Sequence, residues 1–335
     1  MFEQNDRPDA TSALTRRGLM LAAGIGLALP GSAFAATDYP QRPVQFLVPF
    51  TPGGGADTLA RLVAADASQR LGQTMLVENR PGAGGNIAAQ VVSKAKPDGY
   101  TLLEGNLSHA IAVTMNRKPL YDIVKDFAPI INLGAVPFVL CVNSASKIKT
   151  LADLIAAAKA QPDVLNYASS GVGGPSHLAM ELFKMTAGVK LIHVPYKGAA
   201  PAVEDLMGGR VDTGFLTIPA AEPMMRAGRL RALGVASLKR ADGLPDVPTI
   251  AEQGFPGFEA ATWFGVMAPA GTPSDIVAKL HDVFAAGLAV PETRKRLLEE
   301  GFEINGGTPQ EFAAYIAAET AKWAPVVRFA NAVPD

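Results

Sequence analysis

Through most of the chain, short apolar runs alternate with amphipathic segments, and that alternation restricts the fold more than any single motif. A run of about four to eight apolar residues suits a strand buried on both faces, and a longer amphipathic segment suits the helix that covers it. The pattern predicts strands over 44–50, 75–78 and 100–104, a helix over 57–70, and a turn at Pro97-Asp98-Gly99. The run over 130–143 is longer and interrupted by Gly134 and Pro137, so it reads as one strand passing between two sheets. A second series follows: helix 150–160, strand 164–169, helix 176–187, strand 190–195, helix 199–208, strand 211–217, helix 219–227 and strand 229–237. A Pro/Gly-rich connection over 243–257, a strand near 262–268 and three helices complete the chain. The expectation is a two-domain α/β protein.

Several helix ends are marked. Thr272-Pro273-Ser274-Asp275 and Thr308-Pro309-Gln310-Glu311 each place a Thr before Pro with an acid three residues on, which predicts N-caps at both threonines. Gly188, Gly208 and Gly301 stand where a left-handed residue would end a helix.

The first 35 residues read as an export signal and are set aside from the fold. A paired arginine, Arg16-Arg17, precedes an uncharged stretch from Gly18 to Ala36, and Ala33-Phe34-Ala35 gives a small-x-small cleavage pattern. Cleavage after Ala35 by the twin-arginine route into the periplasm is expected. Removal takes three acids and three bases, so the net charge stays at −1. No basic surplus invites nucleic acid. The single cysteine, Cys141, lies in an apolar run and has no partner for an internal disulfide. The four histidines are scattered without metal-ligand spacing, so neither a metal nor another cofactor is expected.

Two glycine loops carry the functional reading. In an open α/β sheet, ligands gather beyond the carboxyl ends of strands, where loops enter helix N-termini. Phe50-Thr51-Pro52-Gly53-Gly54-Gly55-Ala56-Asp57 is such a place, and bare backbone beside a helix dipole suits an anion. The lysine of a phosphate loop is missing, so a carboxylate fits better than a nucleotide. A second loop, Ser169-Ser170-Gly171-Val172-Gly173-Gly174-Pro175-Ser176, repeats the arrangement in the other half, and two such loops can clamp the ends of a diacid. Glycines that merely permit tight strand–helix turns remain the alternative. A third piece, ENRPGAGGNIAA over 78–89, lacks the last glycine of a dinucleotide fingerprint and reads as a turn.

Ser176, His177 and Asp205 can be written as a triad, which would make the chain an exported serine hydrolase acting through Ser176 or Ser170. No nucleophile elbow surrounds any serine, and Ser176 reads instead as an N-cap. Asp57 either meets a ligand or simply complements the dipole of its helix; both readings stay open. Tyr196 and Lys197 follow a strand and can offer a phenol or an ammonium to the cleft. Trp263 and Phe264 read as core or cleft wall.

In order along the chain, YPQRPVQFLVPFTPGGGADTLAR, VENRPGAGGNIAA, KPDGYTLL, SSGVGGPSHLAMELFK, HVPYKGAAPAVEDLMGGRVD, GRLRALGVAS, LPDVPTIAEQGFPGFE and APAGTPSDIV resemble the solute receptors of tripartite tricarboxylate transporters, the Bug family. The resemblance covers residues 39–323. It implies a two-lobe, type II-like periplasmic binding protein, two doubly wound sheets joined by two crossing strands. Lobe 1 would take residues 36–136 and 237–335, and lobe 2 residues 137–236, with hinges near 134–136 and 236–238. The implied function is non-enzymatic: a monomer captures a small carboxylate, whether di- or tricarboxylate, aromatic carboxylate or acidic amino acid, and delivers it to a membrane permease. A sensor that reports the same acids to a membrane kinase is the other reading. In this family the loop matching Phe50 to Asp57 meets a carboxylate through amides and ordered water, and the loop matching Ser169 to Gly174 meets the ligand from the other lobe. The tip after the third strand, including Ser108 and His109, varies among members, and a histidine there departs from the smaller residues that are commoner. Thr217 would present a lobe 2 side chain to the solute.

Overall fold

The structure, a computed structural model, describes residues 39–52, 55–115, 119–196 and 198–331; the export signal expected over 1–35, together with Gly53, Gly54 and Lys197, lies outside the described residues. Three strand–helix units open the described chain: β1 (Val44–Val48) with α1 (Gly55–Leu71), β2 (Met75–Asn79) with α2 (Asn86–Ser93), and β3 (Thr101–Asn106) with α3 (Leu107–Met115). Then come β4 (Phe127–Asn143), α4 (Leu151–Ala160), β5 (Asn166–Ser169), α5 (Pro175–Ala187), β6 (Ile192–Pro195) and α6 (Ala199–Met207). They are followed by β7 (Thr213–Thr217), α7 (Ile218–Arg226), β8 (Leu230–Val235) and β9 (Ala261–Pro269), then by α8 (Ser274–Leu288), α9 (Pro291–Glu299) and α10 (Pro309–Phe329).

In the first sheet β1 lies parallel between β2 and β3, and β9 runs antiparallel between β3 and β4. In the second, β5 lies parallel between β6 and β7, while β7 and β8 flank β4 antiparallel on its two edges. The expected strand that passes between sheets is β4: residues 127–137 pair with β9, and residues 138–143 with β7 and β8. A strand of 17 residues extends about 56 Å. Register shifts between Pro129 and Ile131 and between Asn132 and Gly134 mark bulges, which bend a strand and raise its twist enough to feed two differently oriented sheets.

The second crossing sits beside the first. Ala236 N–H donates to Phe138 O (2.7 Å), Ala260 N–H to Ala236 O (2.9 Å), and Phe138 N–H to Ala260 O (3.1 Å). Residues 134–136 and 236–238 therefore border this knot of backbone bonds. Ala135 exchanges bonds of 2.9 and 2.7 Å with Glu303 just before it.

Strand alternation divides the core. On β3, Leu103 faces the apolar layer built with α2, α3 and α10, while Leu102 faces the layer built with α1 and α8. A smaller cluster under α6 and α7 buries Cys141 as a free thiol. The last helix, α10, packs on α3, β4 and α5, touching elements that belong to both sheets.

Some local expectations fail for identifiable reasons. Helices α2 and α3 were not predicted: α2 has eight residues behind a glycine turn, and α3 follows β3 with no loop and with apolar residues on every side. Thr308 caps α10 with a reciprocal box to Glu311, as its motif predicts. Thr272 does not cap α8; its hydroxyl donates to Pro269 O at 2.7 Å and Pro273 takes the cap position. Nor does Ser176 cap α5, because Pro175 takes the first helical position and Gly174 the cap. Gly188 and Gly301 are left-handed (φ 63° and 73°), but at the end of α6 that role falls to Gly209 (φ 69°) instead of Gly208.

Gly134 shows how tightly the first crossing is packed. A Cβ there would lie 2.5 Å from Glu303 O, a backbone atom with little room to yield. Gly134→Ala should therefore lower unfolding stability by about 1–3 kcal/mol, read as a shifted urea midpoint; an unchanged midpoint would show that the 303 segment does not brace β4.

Candidate functional site

The first glycine loop leaves β1 at Val48 and enters α1 at Gly55. The amides of a first helical turn have no partner within their own helix, and the dipole adds partial positive charge there. Asp57, only 4% exposed, is held in place: its Oδ2 accepts from Arg61 Nε (3.0 Å) and its Oδ1 from Asn79 Nδ2 (2.9 Å). Asn79 Nδ2 also donates to Phe50 O (3.0 Å), and Arg61 Nη2 to Asn79 Oδ1 (2.9 Å). Acid, base and amide thus fasten the loop to the end of β2, so Asp57 braces the site.

Beneath the same end of the sheet lies Glu104 on β3. It is fully buried, and neither carboxylate oxygen has a hydrogen-bond partner. Burial first, and the nearby Asp57 charge second, push its pKa well above the ordinary glutamate value.

His109 stands behind the cleft. Its Nδ1 accepts from Asn106 N–H (3.1 Å), which leaves Nε2 as the donor toward Gly85 O (3.3 Å). Burial lowers its pKa to about 4, against the bond to Gly85. The ring ties α3 to the PGAGG turn, and that turn needs its glycine: Gly85 is left-handed (φ 98°), and a Cβ there would meet Pro49 at 3.0 Å and His109 at 3.1 Å. The expectation that His109 faces ligand is corrected by its complete burial among these partners.

In the second loop the polar groups bond to one another. Ser170 N–H donates to Ser176 Oγ (3.1 Å), Gly171 N–H to Ser169 Oγ (3.2 Å), Gly173 N–H to His177 Nδ1 (3.0 Å) and Gly174 N–H to Gly171 O (3.3 Å). Ser169 Oγ also pairs with His193 Nε2 at 2.6 Å, and the hydroxyls of Ser170 and Ser176 pair at 3.0 Å. His177 and His193 stack with ring centroids 3.9 Å apart, each with a pKa lowered to about 4, chiefly by burial. These amides are spent on the turn itself, which corrects the expectation that they converge on an anion. Tyr196 likewise gives its hydroxyl to Asp205 (2.6 Å), and Asp205 also accepts from Arg210, so no triad of Ser176, His177 and Asp205 assembles.

A cavity of about 520 Å³ opens between the sheets. Phe50, Thr51, Gly55, Ala56 and Ser108 line it from the first sheet's side, and Pro175, Thr217, Pro219 and Ala220 face them from the second. A smaller cavity of about 160 Å³ adjoins it and reaches Ser169, Ser170 and Ser176; Pro175, Thr217, Ala220 and Thr262 border both. The two predicted loops thus meet one continuous crevice, with Gly171, Gly173 and Gly174 shaping the turn beneath its wall. Gly173 is left-handed (φ 71°) and packs against Met115 of α3. Phe264, read from the sequence as core or cleft wall, lines the larger cavity, and sequence reasoning missed Thr262 and Phe302. Thr262 and Phe264 share one face of β9, opposite the buried Trp263, a period-2 signal that marks a face without saying what it faces. Among the described residues lining either cavity, no lysine, arginine or histidine occurs, and Glu300 is the charged one.

The profile described as "Tripartite tricarboxylate transporter family receptor" matches residues 59–331. The R. palustris protein Rpa4515, solved with adipate, is 42% identical and superposes with a TM-score of 0.77 over 88% of this chain and 99% of that one. MatC from Rhodopseudomonas palustris, solved with bound malate, is 36% identical, with a TM-score of 0.74 over 86% of this chain and all of that one. The periplasmic binding protein BugD is 35% identical, with a TM-score of 0.74 over 89% of this chain and 100% of its own. The two-sheet architecture around the crevice is the periplasmic binding protein fold in its two-lobe form.

Glu104 supplies a pH test of the buried charge. Its raised folded pKa means that the native state keeps a proton the unfolded chain releases above the ordinary glutamate value of 4.5. The stabilisation is complete below that value and is lost as pH rises toward and through the folded pKa. Glu104→Gln abolishes this titration, so the variant's Tm should gain on the parent's as pH rises from the ordinary glutamate value of 4.5 toward the raised folded pKa. A gap that does not change with pH would show Glu104 ionised in the fold.

Proposed function

Because this chain belongs to the tripartite tricarboxylate transporter receptor family, we propose that it is a periplasmic receptor which captures a small carboxylate between its lobes and delivers it, chemically unaltered, to the transporter's membrane permease. The observation that carries this reading is the crevice lined from both sheets, with the first turn of α1 on one wall and no basic side chain among its described lining. An anion is bound there by backbone amides, the α1 dipole and the hydroxyls of Thr51, Ser108, Thr217 and Thr262, which suit the flat, modest charge of a carboxylate. The adipate and malate in the compared structures favour the same chemistry.

Capture works through differential affinity. Open, both walls are hydrated; closed, the ligand bridges them and excludes bulk water, which strengthens each charge-assisted bond. A ligand moves the hinge only as far as it prefers the closed state. The hinge is the pair of crossings near 134–136 and 236–238, separating a lobe of residues 36–136 plus 237–335 from one of residues 137–236. The signal is removed after Ala35, and the receptor acts as a monomer. The hydrolase alternative finds no support in the geometry, since Ser170 and Ser176 bond to each other and Asp205 to Tyr196.

A thermal-shift screen at neutral pH should show stabilisation by organic acids and none by sugars or cations; response to sugars alone would overturn the assignment. Ser108→Ala removes a hydroxyl from the anion's wall and should weaken the best acid by about 1.5 kcal/mol, roughly tenfold, in isothermal titration.

A further inference from the structure

From the chemistry of the smaller cavity, we propose that the ligand is a monocarboxylate with an apolar body, an aryl- or alkyl-substituted acid whose tail enters the second sheet, in place of a diacid clamped at both ends. The proposal rests on the carboxylate reading above and concerns the far end of the same crevice.

Three observations converge. The cavity floor is apolar: Phe138, Phe215, Leu216, Ala168 and Ala202 line it, from β4, β7, β5 and α6. Most donors that a second carboxylate would need are already committed: the amides of Ser170, Gly171, Gly173 and Gly174 and the hydroxyl of Ser169 bond within the loop or to its histidines, and the mutual bond between the Ser170 and Ser176 hydroxyls leaves one hydroxyl proton, too few to replace a carboxylate's hydration. No described lining residue of this cavity is charged. An anion placed there would exchange its hydration for aromatic rings and alanine methyls, which is strongly unfavourable. Size points the same way. At about 160 Å³, the cavity matches the roughly 150 Å³ that accepts a benzene ring in an apolar interior. Thr217 and Thr262 stand where the two cavities join, so a ligand passes from hydroxyls and amides at its head to hydrocarbon at its tail. Dispersion and release of water from the apolar floor then discriminate between acids that the head site treats alike.

Hexanoate and adipate separate the two ends cleanly, because they have the same chain length and differ in one terminal group. Isothermal titration of the full chain with hexanoate, 3-phenylpropionate and adipate should show both monoacids binding at least tenfold tighter than adipate. Ala199→Leu, at an exposed position on the cavity's rim, should cut the preference for 3-phenylpropionate over adipate at least tenfold by filling the tail space. Adipate binding as tightly as hexanoate, or a preference insensitive to the Leu substitution, would overturn the apolar-tail assignment while leaving a carboxylate receptor intact. Silence toward all three acids would remove the carboxylate reading itself, and this inference with it.

Discussion

One strand bonded into two sheets governs the architecture. Over its first part β4 completes the first sheet beside β9, and over its last part both of its edges are taken by β7 and β8. It joins the two sheets and is the strand on which β8 pairs, and the crevice lies where its partners change. Around Phe138 the two crossings exchange backbone hydrogen bonds directly. Bending at that point alters the angle between the sheets while leaving the ladders on either side intact, because backbone bonds tolerate a change of twist better than a break.

The crevice reverses a common assumption about anion sites. Its lining presents amides, hydroxyls and a helix end, with Glu300 as its one charged described residue, while Asp57 behind the loop is paired with Arg61 and Glu104 is buried with its pKa raised. A lysine or arginine would bind a carboxylate more strongly in isolation, yet its long-range field would also hold phosphate, sulfate and every other anion of the medium. Short-range donors favour a shape over a charge. The rest of the crevice wall is largely apolar, with Phe50, Phe264 and Phe302 in the larger cavity and the alanine and phenylalanine floor beyond Thr217 in the smaller.

Much of this was legible in the residues, and the gaps have physical causes. The long β4 announced itself through an apolar run too long for one ordinary strand, with Gly134 and Pro137 at the turn of its path. The capping box at Thr308 followed from local chemistry alone, since all its partners lie within four residues. Thr272 carried a similar motif and failed because its hydroxyl turned back to the carbonyl of Pro269, three residues before it, instead of to an amide of the helix ahead. Helix α3 was hidden because it is buried on all sides and so carries no amphipathic period. The second glycine loop is the most instructive case: its place at a strand end was correct, but whether its amides are free depends on His177 and His193, and no pattern along the chain fixes where those rings come to rest.

Cys141 acquires an unplanned use from its position. It sits on the part of β4 flanked on both edges, fully buried, with a thiol whose pKa burial raises to about 12. A thiol-directed dye reaches that sulfur when the shared strand comes apart. The native chain therefore carries a single chemical stopwatch for global unfolding.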